Sequence, residues 1–193
     1  LSHFKARLPK QRFQEPMTLL TRIRPDNQFF LFGNYGHRRP SALAMISSAG
    51  KVLFEWSLMG APIDVHWQES GPLYVLVAGP GPEPTEASLG SIVVINGPDD
   101  TPHSILTGLK RPVDMEVADL NGDGTKDFVI CEYGHEAGFL SYYESDASGG
   151  YQRRVLRAEP GATEAIIHDF DDNGTLDIGV LMAQGDEGVD IYS

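Results

Sequence analysis

The sequence predicts an all-β fold of repeated four-stranded antiparallel units. Three observations carry that expectation. The first is a set of short runs rich in aromatic and β-branched residues, such as Phe29-Phe30-Leu31-Phe32, Leu73-Tyr74-Val75-Leu76-Val77, Ile92-Val93-Val94-Ile95 and Phe128-Val129-Ile130. Runs this short suit a pleated, half-buried surface better than a helix. The second is punctuation. The 21 glycines and 13 prolines are spread along the whole chain rather than pooled in one linker. The third is an internal repeat.

Pro112-Val113-Asp114 through Ile130 overlays the stretch ending at Val180 with an offset of 50 residues. Asp119-Leu120-Asn121-Gly122-Asp123-Gly124-Thr125-Lys126-Asp127 then falls on Asp169-Phe170-Asp171-Asp172-Asn173-Gly174-Thr175-Leu176-Asp177. An earlier copy starts at Pro62-Ile63-Asp64, and a fourth near Pro16-Met17-Thr18. Third-strand candidates recur at Ala42–Ser47, Gly90–Asn96, Gly138–Glu144 and Gly188–Ser193. Fourth-strand candidates are Lys51–Ser57, His103–Leu109 and Tyr151–Ala158. Four strands in roughly 46–50 residues is the size of a propeller blade. The chain therefore reads as one domain, 1–193, with repeats near 16–58, 62–110, 112–158 and 162–193.

Leu1–Leu8 resembles the fourth-strand stretch Tyr151–Leu156, while the last repeat stops after a third strand. Residues 1–8 are thus a candidate outer strand for the last blade, which would leave no open sheet edge there. Two arrangements follow. One is a closed four-bladed ring. The other is an arc of a larger ring of about seven blades, completed by further blades or a second chain.

Composition narrows the partners. The formal charge of −12 disfavours nucleic acid, whose phosphates would be repelled. No apolar run reaches the length of a membrane-spanning helix. Cys131 is the single cysteine, so no internal disulfide forms, and it reads as a small core residue.

The chemistry lies in the two acidic stretches. Asp119, Asn121, Asp123 and Asp127 stand at loop positions one, three, five and nine, and Asp169, Asp171, Asn173 and Asp177 do the same. Calcium takes about six to eight oxygen ligands at about 2.3–2.6 Å. Alternate short oxygen side chains in a tight turn converge on one point. Backbone carbonyls of Thr125 and Thr175 at position seven add a ligand, and glycines Gly124 and Gly174 at position six permit the bend. Position twelve holds Ile130 or Val180 rather than the Glu of an EF-hand, and the flanks are strand-like. The expectation is two Ca²⁺ sites at strand–strand corners. The alternative is an Asp/Asn/Gly-rich turn without an ion.

The pattern D-x-N-x-D-G-x-x-D followed by an apolar strand resembles the FG-GAP/VCBS repeat of integrin α-subunit propellers and secreted bacterial proteins. The resemblance is strong over 112–193 and weaker over 16–110, where Arg24-Pro25-Asp26-Asn27-Gln28 and Gln68-Glu69-Ser70-Gly71-Pro72 lack the carboxylate series. It implies that each ion loop joins the first and second strands of a blade. It also implies a secreted or periplasmic adhesion or accessory role.

On the opposite face of such a propeller, Asp64, Asp114 and Glu164 would begin the innermost strands, near the turns carrying His37 and His135. These are candidates for binding a metal, a cation or a sugar, or else for capping turns. No nucleophile elbow, H-E-x-x-H or phosphate loop is present. The sequence thus favours a binding module for protein or carbohydrate. The alternatives are a propeller-scaffold lyase or hydrolase using the axial face, or the structural part of a longer secreted enzyme.

Overall fold

A computed structural model of the chain describes residues 29–33, 41–47, 49, 51–67, 71–79, 87–134, 136–146 and 148–193. Every regular element in them is a strand, and every pairing is antiparallel. The first sheet holds β1 (Phe29–Gly33), β2 (Ser41–Ile46) and β3 (Val52–Leu58). The second holds β4 (Pro62–His66), β5 (Leu73–Val77), β6 (Gly90–Ile95) and β7 (His103–Leu109). The third holds β8 (Pro112–Ala118), β9 (Asp127–Glu132), β10 (Phe139–Ser145) and β11 (Tyr151–Arg157). The fourth holds β12 (Ala162–His168), β13 (Asp177–Met182) and β14 (Gly188–Tyr192). Strands follow one another within each sheet in chain order, as short connections favour.

The repeat extends to the register. Asp64 pairs with Leu76, Asp114 with Cys131 and Glu164 with Leu181. In each sheet the register shifts one residue earlier, between Pro62 and Asp64, Pro112 and Asp114, and Ala162 and Glu164. A bulge at one fixed place in three sheets marks them as copies of one unit.

The sheets stack face to face in chain order. Leu43, Met45, Trp56 and Leu58 of the first sheet pack on Leu73, Val75 and Val77 of the second. Leu76, Ile92 and Leu109 turn the other way, onto Met115, Phe128 and Ile130 of the third. Val129, Cys131 and Leu140 pack in turn on Ala165, Ile178 and Val180 of the fourth. A strand covered on both faces needs a continuous apolar run rather than an alternating one. That is why Leu73-Tyr74-Val75-Leu76-Val77 and Phe128-Val129-Ile130 read as they do. The first strands of successive sheets are neighbours, β4 beside β8 and β8 beside β12.

No buried cluster of described residues joins the first sheet to the fourth. The outward face of the fourth sheet exposes Ile166, Leu181, Val189 and Ile191. Leu1–Leu8, the first strand expected after Pro16, and residues 80–86 lie outside the described residues. No helix among the described residues is long and apolar enough to cross a membrane.

Candidate metal centre

The two acidic stretches form the corners between β8 and β9 and between β12 and β13. Their backbones are built by their own side chains. Asn121 Oδ1 accepts from Asp123 N–H at 3.0 Å, and Asp123 Oδ1 from Thr125 N–H at 2.7 Å. In the second loop Asp171 Oδ1 accepts from Asn173 N–H at 3.2 Å, and Asn173 Oδ1 from Thr175 N–H at 2.8 Å. Each odd position thus folds the chain over the next odd position, as Asx turns do. Asp119 and Asp169 each close the loop by accepting from the glycine at position six, Gly124 at 2.9 Å and Gly174 at 2.7 Å.

Both position-six glycines have positive φ, +87° and +88°. Nothing lies within 4 Å of where a Cβ would stand on either. Glycine is favoured there by the left-handed backbone and not by crowding. Position four also has positive φ, at Gly122 (76°) and at Asp172 (58°).

At position nine the loops differ. Asp127 is fully buried. Its Oδ2 accepts from Leu120 N–H at 3.1 Å and Tyr142 Oη–H at 3.0 Å, and its Oδ1 from Ser145 N–H at 2.9 Å. Burial, followed by this bond to Asp127, pushes the Tyr142 phenol well above its ordinary range. Asp177 is equally buried, at 1% exposure, yet only its Oδ2 is bonded, by Phe170 N–H at 2.9 Å. Asp177 Oδ1 has no hydrogen-bond partner. Ligand oxygens of Asp169, Asp171 and Asp177 lie within 4.8 Å of one another. In the first loop the unpartnered buried oxygen is Asp119 Oδ1.

A carboxylate oxygen buried without a donor is costly, at about 1–3 kcal/mol or more. A hard cation removes that cost and the mutual repulsion of its neighbours at once. The second loop therefore fits a cation such as Ca²⁺ on its three carboxylates. The first loop fits less well, because protein donors already occupy both oxygens of Asp127. On Asp123, hydrogen bonds from the Thr125 hydroxyl and N–H hold the carboxyl below the usual range.

The axial candidates are placed differently. Asp114 Oδ2 accepts from Ala165 N–H of the fourth sheet at 2.8 Å, so this carboxylate ties two sheets together. Asp64 is buried and its Oδ1 accepts from Val65 N–H at 2.7 Å. Glu164 is exposed. Among the described residues these three form no metal-type cluster. His37 and His135 lie outside the described residues. Cys131 is fully buried, and burial together with Asp114, Glu116 and Glu164 pushes its thiol far up, which leaves it inert.

One group escaped the sequence reading. Glu132, 1% exposed, accepts from Arg153 Nη2 at 2.9 Å, Ser141 Oγ at 3.1 Å and Lys110 N–H at 2.6 Å. Arg153 lies over the Phe139 ring at 4.5 Å. Glu132 is the last residue of β9 and belongs to none of the sequence motifs. The partners that allow its burial come from β7–β8, β10 and β11, and no local pattern announces them.

No family model matches the chain, and no curated protein matches it at a significant level.

Proposed function

We propose that this chain is a calcium-stabilised β-propeller module of the FG-GAP/VCBS kind that binds a protein or glycan outside the cell or in the periplasm. The observation that carries the calcium reading is Asp177 Oδ1, buried without a donor among the carboxylates of Asp169 and Asp171. The stacked sheets, repeated bulge and adjacent inner strands support the blade reading. The Asp169–Asp177 loop is the stronger site, the Asp119–Asp127 loop the weaker.

The ion stabilises rather than reacts. It would tie a two-strand corner whose carboxylates otherwise repel. Free calcium at about 100 times its dissociation constant would add about 2.7 kcal/mol. Millimolar extracellular calcium suffices even for a weak site. The test is thermal unfolding in chelator and in millimolar calcium, with magnesium as control. Calcium should raise Tm by several degrees and magnesium by much less. An unchanged Tm would overturn the calcium reading.

A further inference from the structure

The outward face of the fourth sheet carries a surface that the second and third sheets keep covered. Register sets its rows: Glu164, Leu181 and Val189 stand opposite one another, as do Ile166, Gly179 and Ile191. Side chains directly opposite share a face. Phe170, from the acidic corner, rests on Gly179, where an added Cβ would stand 3.0 Å from its ring. Ile166, Phe170, Leu181, Val189 and Ile191 are all exposed, at 43–69%. In the third sheet the matching rows are Asp114, Cys131 and Leu140, and Glu116, Val129 and Tyr142. There Val129, Cys131 and Leu140 are fully buried against the fourth sheet. A contiguous exposed apolar patch marks an interaction surface.

Charge names the occupant. Residues 158–193 contain nine Asp or Glu and no Lys or Arg. Glu164, in the first row, is exposed, and so are Asp186 and Glu187 in the turn before β14. The fourth sheet of a second copy would set these carboxylates against their equals, which repels. Residues 1–14 have the opposite character, with Lys5, Arg7, Lys10 and Arg12 and no Asp or Glu. Within them Phe4, Ala6 and Leu8 alternate with His3, Lys5 and Arg7. An extended segment of that pattern has one apolar and one basic side. The connection through residues 15–28 reaches about 46 Å when extended. That is well beyond the radius of gyration of about 16 Å for a compact chain of this length.

We propose that residues 1–14 of the same chain lie across the outward face of the fourth sheet, their apolar side on Ile166, Leu181 and Val189 and their basic side chains on the surrounding carboxylates. Exposed ion pairs add little, so the segment covers the face more loosely than a sheet would. Neither the metal nor the module's ligand enters into this.

Cross-linking in the full chain tests it. Cys131 is fully buried, so an introduced surface thiol is the reactive one. The lysines are Lys5, Lys10, Lys51, Lys110 and Lys126. Ile166→Cys on β12 and Val189→Cys on β14 are each treated with a short thiol–amine cross-linker, and the links are mapped by mass spectrometry. Both thiols should link to Lys5 or Lys10 within a monomer. Arg7→Glu with Arg12→Glu, or salt at about 0.5 M, should cut that yield several-fold. Links from Val189→Cys alone would place the segment on the open β14 edge and overturn its position on the face. Links to Lys51 would put the first sheet there instead, and links found only in dimers would put a second copy there. Either result overturns the proposal, as does the absence of any link to Lys5 or Lys10. Should a cysteine variant misfold by circular dichroism, Leu181→Cys takes its place.

Discussion

The third and fourth sheets are copies of one repeat, yet the same register positions lie in opposite surroundings. Leu140 pairs with Cys131, and Val189 pairs with Leu181 at the equivalent place. Leu140 is fully buried under the fourth sheet, while Val189 is 69% exposed. Glu132 sits opposite Pro112 where Met182 sits opposite Ala162. The loops diverge for a related reason. Tyr142 pairs with Val129 and sends its hydroxyl to Asp127 Oδ2, whereas the equivalent partner of Gly179 is Ile191, which has no hydroxyl; Asp127 Oδ1 is bonded by Ser145 N–H, and Asp177 Oδ1 has no such donor. The donors that close Asp127 thus include groups on the neighbouring strand β10, which β14 does not match for Asp177.

The sharpest break in the comparison is at position 132. Glu132→Ala removes the acceptor for Arg153, Ser141 and Lys110 N–H and should cost about 3 kcal/mol in denaturant unfolding. Glu132→Met, which imports the residue of the fourth sheet, should cost much less, because it removes a buried charge and fills the space. Equal losses for both would mean that packing rather than charge pairing governs the site.

The core follows. Leu140→Ala should cost about 2–5 kcal/mol, and Val189→Ala under about 0.5 kcal/mol. Similar losses would show that the outer face of the fourth sheet is covered in solution as tightly as that of the third.

The loops separate by their response to calcium. Asp177→Asn should abolish the calcium-dependent rise in Tm and change little in chelator. Asp127→Asn should destabilise in both conditions by about 1–2 kcal/mol, since an amide serves its donors less well. Calcium titration of the two variants by calorimetry checks the assignment. If Asp127→Asn rather than Asp177→Asn removes the calcium response, the order of the two sites is reversed.

The smallest expected effect is at position four. Asp172 holds φ at 58° where the third sheet has Gly122. Asp172→Gly should stabilise by up to about 1 kcal/mol, measured in chelator. Loss of stability there would mean that the Asp172 side chain makes a contact worth more than its backbone strain.

Much of the fold was legible beforehand because it depends on neighbours in sequence. Strand candidates at Leu73–Val77 and His103–Leu109 coincide with β5 and β7, and the other candidates among the described residues differ from the observed strands by only a few residues at their ends. Period-2 and continuous apolar runs announce strands whatever surrounds them. The loop geometry was equally local, since Asx turns and left-handed glycines act within nine residues. The axial carboxylates were only half legible. Their place near the start of the first strands β4, β8 and β12 followed from the repeat, but the bond from Ala165 N–H to Asp114 needed the next sheet in position.

The amino-acid order alone determined the all-β class, the repeat and the two acidic corners, because short-range backbone preference and side-chain spacing suffice for each. Only the folded arrangement decided that Asp127 is sealed while Asp177 keeps an oxygen free, and that Glu132 is buried on an arginine. Those outcomes depend on groups brought together across strands and sheets, and desolvation, which makes an unpaired oxygen or charge costly, exists only once that packing has formed.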